Sequence, residues 1–261
     1  MKKLKVLILL VLALSAAAEY EPKPQRLELT GVYESLDPIS TYGIWKSGSI
    51  TYFRKASEDL SWFLGFDYSM HDNAGTGFLG DFGAYKDWSP VFYTYSAFSA
   101  GTNTNIFVQF RIDQEFNFKI GDKRDIVIPF GITYIQSDGA SSLVTLYSGF
   151  SAYLPAWLIT VKIFANFSNP NSLLSNSYLV SVGNGKEGAE WNYLDLTFGE
   201  LSYLPTSVPL ADVISEHSVY LSFKHRKWLS STFGWFSDLN YLNVVNTYRK
   251  YGATLGVFFE F

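Results

Sequence analysis

The stretch that decides the fold is "IFVQFRIDQEFNFKI", residues 106–120. One side of it carries Ile106, Val108, Phe110, Ile112, Phe116, Phe118 and Ile120, with Gln114 as the only polar member. The other side carries Phe107, Gln109, Arg111, Asp113, Glu115, Asn117 and Lys119. Such alternation predicts a β-strand with two different faces. Strands of soluble proteins usually run about 5–6 residues, whereas a tilted membrane-spanning strand needs about 9–11 residues in the hydrocarbon alone.

The same period of two recurs along the chain, for example in "LSWFLGFDYSM" (60–70), "WLITVKIFANF" (157–167) and "SVYLSFKHR" (218–226). Turn-forming clusters of Gly, Pro, Asn, Asp and Ser separate these segments. The pattern predicts strands near 26–35, 44–54, 60–70, 77–86, 91–101, 106–120, 126–137, 143–154, 157–168, 172–183, 190–201, 214–226, 229–240 and 247–261. We therefore predict one closed antiparallel transmembrane β-barrel of about 14 strands, or 12 if the first segment and that at 77–86 are not strands.

The N-terminus has the features of an export signal. Three lysines precede the apolar run from Val6 to Leu14, and small residues end at Ala18. This arrangement predicts a cleaved signal peptide over residues 1–18 and a barrel over 19–261. The apolar run is too short for a transmembrane helix, which needs about 20 residues.

Composition narrows the class of protein further. Aromatic residues make up 18% of the chain and cysteine is absent, which excludes disulfides and thiolate metal sites. No basic block suggests nucleic acid as a partner. An exported, aromatic-rich chain with long alternating strands predicts the outer membrane of a Gram-negative-type cell.

The C-terminus supports that location. In "YGATLGVFFEF", alternate residues are apolar back to a tyrosine, and the chain ends on an aromatic. We predict that Tyr251, Phe259 and Phe261 belong to the signal read by the outer-membrane assembly machinery. The alternative is an ordinary edge strand. Closure of the barrel would remove the edges through which such a sheet could aggregate.

Charged residues on the polar faces are the main candidates for a functional site. Both signs occur in similar numbers, so they either pair across strands and fill the interior or line a weakly selective pore. We predict the pore-lining residues Arg111, Asp113, Glu115, Lys162, Asp195 and Lys224. Phe63, Phe107 and Phe164 are expected on the interior side, where they could narrow the pore, but no long loop is expected to fold inward.

Catalytic chemistry has little support. His217 and His225 share a face with Val219, Leu221 and Phe223, which indicates a position near the lipid headgroups. His71 is expected to be a solvated loop residue. No histidine pair has metal-ligand spacing with nearby carboxylates, so no catalytic residue, metal or cofactor is predicted. The alternative hypothesis is a barrel enzyme that modifies lipid A or surface glycan.

Tryptophan and tyrosine residues are expected mainly at the two membrane interfaces. Any of them that faces inward could stack on a sugar. The residues considered are Trp62, Trp157, Trp191, Trp228, Trp235, Tyr68 and Tyr153.

The stretch "VTLYSGFSAYLPAWLITVKIF" resembles the YaiO-type outer-membrane β-barrel family, through Val144, Tyr147, Gly149, Tyr153, Leu154 and Trp157. "SLLSNSYLVSVGNG", followed by a strand rich in Trp and Tyr, extends the likeness to about residues 60–261. The resemblance implies an outer-membrane barrel and transfers no active site. We therefore expect a small passive channel or an envelope component connected with surface polysaccharide, with outer-membrane lipid, lipopolysaccharide and the assembly machinery as partners.

Overall fold

Fourteen antiparallel strands close into a barrel in which each strand pairs with its neighbours along the chain and the first pairs with the last. The computed structural model describes residues 20–137, 141–169, 173–200 and 217–261. The strands are β1 Gln25–Asp37, β2 Ile44–Lys55, β3 Leu60–His71, β4 Gly75–Ser89, β5 Phe92–Gly101, β6 Phe110–Ile120, β7 Ile126–Gln136, β8 Ser142–Tyr153, β9 Trp157–Asn169, β10 Leu173–Lys186, β11 Glu190–Gly199, β12 Ser218–Trp228, β13 Phe233–Val244 and β14 Tyr248–Glu260. A short helix, α1, covers Ile39–Tyr42.

The predicted 14-stranded barrel is confirmed. The 12-strand alternative is wrong, because both segments on which it depended form full strands, β1 and β4. The predicted signal peptide, residues 1–18, lies outside the described residues. No helix among the described residues is long and apolar enough to cross a membrane.

The start of β1 and the last residue of the chain lie at one end of the barrel, here called the terminal end. There the backbone N–H groups of Gln25 and Phe261 each donate to the other residue's carbonyl, at 3.1 and 3.0 Å. The opposite end is called the distal end, and the longest connection that the structure describes in full, residues 102–109, lies there. Because bacterial barrels have short periplasmic turns and longer extracellular loops, we expect the distal end to face the outside of the cell.

Side chains alternate between lipid and interior as the sequence predicts. On β3, for example, Leu64 and Phe66 are 56% and 49% exposed on the outer face, whereas Ser69 on the inner face is 1% exposed. In an isolated soluble sheet such a wide apolar face would be open to water. Here it is the surface that contacts the hydrocarbon.

Strand β6 is shorter than predicted, because residues 102–109 form a loop that turns into the barrel. Ile106 and Phe107 are buried, at 0% and 7% exposure. The Asn103 side chain holds the loop against the β3–β4 connection by donating to the carbonyls of Ala74 and Thr76 at 3.1 and 3.0 Å. The predicted lipid-facing position of Ile106 is therefore wrong, and so is the expectation that no loop folds inward.

Glycine makes room for this loop. A Cβ at Gly101 would lie 2.6 Å from the Cβ of Phe107 and 2.7 Å from the carbonyl oxygen of Val108. Val108, predicted to face lipid, instead packs inside against two small apolar clusters. The alternation in residues 106–109 therefore belongs to a buried turn, whose apolar side chains happen to match the period of a strand.

Candidate functional site

The predicted pore-lining residues all point into the barrel. The ladder registers place them on the interior face of four strands, in three close ion pairs. The pairs are Arg111–Asp113, Lys162–Glu115 and Lys224–Asp195, each with an N–O distance of 2.7 Å. Their position is established, whereas their role in conduction stays a prediction.

The pair on β6 is the most tightly held. Arg111 donates to Asp113 through Nε at 2.7 Å and through Nη2 at 2.8 Å. The Thr133 hydroxyl on β7 donates to the same carboxylate at 2.6 Å. Bidentate, charge-assisted hydrogen bonds of this kind fix both side chains.

A second group of ion pairs joins β1 to β12 and β14, and sequence reasoning missed it. Glu28 lies 2.8 Å from Arg26 and 2.7 Å from Arg226. Lys250 donates to Glu34 at 2.7 Å and is only 1% exposed. No sequence signal identified these partners, because they are more than 190 residues apart and meet only when the barrel closes.

Acidic side chains outnumber basic ones on the interior face of the described strands. The registers place ten carboxylates and eight cationic groups there. The acids are Glu28, Glu34, Asp67, Asp81, Asp87, Asp113, Glu115, Asp195, Asp238 and Glu260. The bases are Arg26, Lys55, Arg111, Lys119, Lys162, Lys224, Arg226 and Lys250. The excess of carboxylates in the interior is therefore small.

Parts of the distal half of the interior are closely packed. Four small apolar clusters lie along its wall, on β12–β13, on β4 with the inward loop, on β7–β8 and on β9–β10. Polar side chains between them are also buried. Thr133 and Thr145 have no exposed surface, and Thr145 donates to Asn166 at 2.8 Å.

A cavity of about 440 Å³ lies inside the barrel, against β1–β3 and β11–β14. Its wall includes the acidic residues Glu34, Asp67 and Asp238 and the basic residues Lys224, Arg226 and Lys250. The amide oxygen of Asn240, also on this wall, is buried and has no hydrogen-bond partner among the described residues. The space is therefore polar and large enough for water or a small hydrophilic solute.

The histidines lie in three different settings. His71 is 5% exposed and stacks on Trp45 with ring centroids 4.1 Å apart, so its predicted solvated position is wrong. It ends β3 with its side chain inward instead of starting a loop. His225 contacts Asn192 at 2.8 Å and the Trp235 ring at 5.0 Å on the outer face, and His217 is exposed before β12. Across the described ranges, no three His, Asp or Glu side chains form a group that could hold a metal ion.

Three of the aromatic residues expected at the membrane interfaces point inward. The registers place Tyr153, Trp191 and Trp228 on the interior face. Trp228 is 6% exposed, packed against the inner side of the barrel wall. The interface prediction is wrong for these three, because it was made from residue type without the ladder register. The registers place Trp62, Trp157, Trp235 and Tyr68 on the outer face.

The three predicted assembly-signal residues occupy the last strand and its end. Tyr251 and Phe259 are 51% and 41% exposed on the outer face of β14. Phe261 follows the strand and is 53% exposed. Their role in assembly stays a prediction.

Comparison with known proteins places the chain among membrane barrels. The model of the YaiO membrane beta barrel domain matches residues 24–204. This range begins earlier and ends earlier than the predicted one, and it includes all the residues on which the resemblance rests. No curated protein matches the chain.

Solved structures share the fold at low identity. Omp33 of Acinetobacter baumannii is 13% identical with a TM-score of 0.56, and the match covers 92% of this chain and 100% of that one. A structure described as a bacterial polysaccharide outer membrane secretin is 9% identical with a TM-score of 0.59, and the match covers 92% of this chain and 99% of that one. The TodX deltaS2S3 mutant, a monoaromatic hydrocarbon channel, is 8% identical with a TM-score of 0.59, and the match covers 92% of this chain and 91% of that one. At these identities the likeness shows the fold alone.

Proposed function

Because the chain belongs to the YaiO membrane β-barrel domain family, we propose that this outer-membrane barrel is a small passive channel for hydrophilic solutes. The cavity of about 440 Å³ inside the barrel carries the proposal. Eight strands leave room only for side chains, whereas 16–18 strands leave an aqueous channel. Fourteen strands lie between these limits, and the polar cavity supports an interior that water can enter.

The packing of the distal half limits the size of this channel. Phe107 on the inward loop contributes to the cavity wall. Leu143 and Ile135 are 2% and 3% exposed on the opposite side of the interior. We therefore expect a small conductance that passes ions and small polar molecules and excludes larger ones.

Charge sets the expected selectivity. The cavity wall has three acidic residues, Glu34, Asp67 and Asp238, and as many basic ones, so the sign depends on the small excess of carboxylates in the interior as a whole. A ring or wall with excess negative charge favours cations. We therefore propose a weak preference for cations over anions.

A planar bilayer experiment with the purified full-length protein tests both parts of the proposal. In a salt gradient, the reversal potential of the wild type should have the sign of a cation-selective pore. The Asp67→Asn, Asp238→Asn double variant should move it towards zero, because two carboxylates leave the cavity wall. Glu190→Gln is the matched control, since its carboxylate pairs with Lys227 outside the interior face and should not affect selectivity.

The result that overturns the channel is a folded, inserted barrel that carries no current. Selectivity that ignores the double variant would refute the assigned cavity wall. In either case, profiles of lipid A and surface glycans from cells with and without the protein would then test the alternative of a barrel enzyme.

A further inference from the structure

Two tyrosines differ from the other large exposed hydrophobic residues of the described strands. Tyr85 on β4 and Tyr153 on β8 are 47% and 50% exposed, yet the ladder registers place both on the interior face. The other large exposed hydrophobic side chains of the described strands lie on the lipid-facing side. These two rings therefore present their surface to the inside of the barrel, in its terminal half.

The wall around them is aromatic as well. Tyr85 pairs with Tyr95 across the β4–β5 ladder, with ring centroids 4.6 Å apart. Tyr93, two residues earlier on β5, has the Lys119 ammonium 4.9 Å from its ring centre. On β11, Trp191 and Tyr193 stack with centroids 5.5 Å apart and also face inward. Aromatic rings therefore line two sides of the terminal half of the interior.

The charges between these rings are already paired. Glu115, opposite Tyr95 in the β5–β6 ladder, lies 2.7 Å from Lys162. Lys119 lies 2.8 Å from Asp87. An ionic ligand would have to displace one member of each pair, and a purely apolar ligand would remove water from both pairs without replacing its hydrogen bonds.

We propose that the tyrosine wall of the terminal half, Tyr85, Tyr93, Tyr95 and Tyr153, binds uncharged oligosaccharide. The proposal builds on the channel function by naming a class of solute. A hexose ring has a face of C–H groups that stacks on an aromatic ring and a rim of hydroxyls for hydrogen bonds. Tyrosine offers the matching combination of a flat apolar body and a polar tip. Binding sites of this kind combine aromatic surfaces with a few polar groups that fix orientation.

Titration calorimetry of the full-length protein in detergent, with maltohexaose and cellohexaose as probes, tests this inference. Wild-type protein should show saturable binding of at least one probe. Tyr85→Ala and Tyr153→Ala should each weaken it about tenfold, because each removes a stacking surface. Tyr85→Phe should keep most of the affinity, since the ring remains.

Tyr33→Ala is the matched control. Tyr33 is 48% exposed, like the two interior tyrosines, but it lies on the lipid-facing side of β1 and should leave binding unchanged. Heat-modifiable gel migration shows whether each variant is folded. Failure of both probes to bind wild-type protein, or equal binding by the wild type and both alanine variants, overturns the proposal.

The two proposals can fail separately. A barrel that conducts ions but binds neither hexasaccharide refutes the sugar site and leaves the channel. A barrel that binds a hexasaccharide but carries no current refutes the channel and leaves a glycan-binding barrel.

Discussion

The two halves of the barrel interior are built from similar residues and packed very differently. In the distal half, Phe164 and Leu143 are 1% and 2% exposed. In the terminal half, Tyr85 and Tyr153 are 47% and 50% exposed on the same interior face. The difference shows that the inner surface of one barrel can be packed like a protein core in one part and solvated in another.

The difference in packing arises from the connections between strands at each end of the barrel. The distal half receives the inward loop, and Phe107 and Val108 reach clusters on two separate parts of the wall. The terminal half has turns of a few residues, which stay at the rim. Because the barrel wall itself is continuous, the inward loop at one end and the short turns at the other determine which parts of the interior are densely packed and which parts water can enter.

The largest expected effect comes from two lysines with the same chemistry in different halves. Lys250→Met should destabilise the barrel by about 3–5 kcal/mol, because it leaves the Glu34 carboxylate, which is only 13% exposed, without its partner. Lys119→Met in the terminal half should cost about 1 kcal/mol, since its partner Asp87 is 46% exposed and water can solvate that carboxylate. Urea titrations in lipid vesicles measure both. The Lys250→Met, Glu34→Gln double variant should recover most of the loss, and equal costs for the two single variants would contradict the comparison.

A smaller effect is expected from opening the distal half. Phe107→Ala should cost about 3 kcal/mol, the lower end of the range for buried aromatic truncation, because a loop can partly close the space. The same change should raise the conductance, since it removes a side chain from the cavity wall. Phe78→Ala, on the lipid-facing side and 44% exposed, is the control and should leave conductance unchanged. An unaltered conductance in a folded Phe107→Ala barrel would show that the loop does not limit the pore.

Most of the barrel could be predicted from period and turn signals, because strand faces are a local property. The fourteen segments and the inward position of Arg111, Glu115 and Lys162 follow from alternation alone. The partners of these charges could not be predicted in the same way. The Lys162–Glu115 bond crosses the interior between strands that are not neighbours, so it depends on the stagger of the closed barrel.

The errors share a different origin. Residues 106–109 keep the period of a strand while forming a turn, and the pattern predicts a loop at His71 although β3 continues through it. Residue type alone predicts an interface position for Tyr153 and Trp191. In each case the missing information was the position of the strand end or the ladder register, which the sequence pattern defines least well.

The smallest expected effect tests an exception within the terminal half. Beneath β12–β14, Trp228 and Glu260 are buried, and the Tyr20 hydroxyl donates to Glu260 at 2.8 Å from the segment before β1. Burial, reinforced by that hydrogen bond, raises the pKa of Tyr20 above its usual value. A raised pKa means that this contribution to stability is complete below about pH 10 and is lost as the pH rises towards the folded-state value.

Tyr20→Phe should therefore cost about 0.5–1 kcal/mol at neutral pH and should flatten the loss of stability above pH 10 seen in vesicle unfolding titrations. Tyr251→Phe, on the lipid-facing side, is the control. An alkaline slope that is the same in the wild type and in Tyr20→Phe would mean that Tyr20 does not hold the chain across this end of the barrel, and that the terminal half is open there as well.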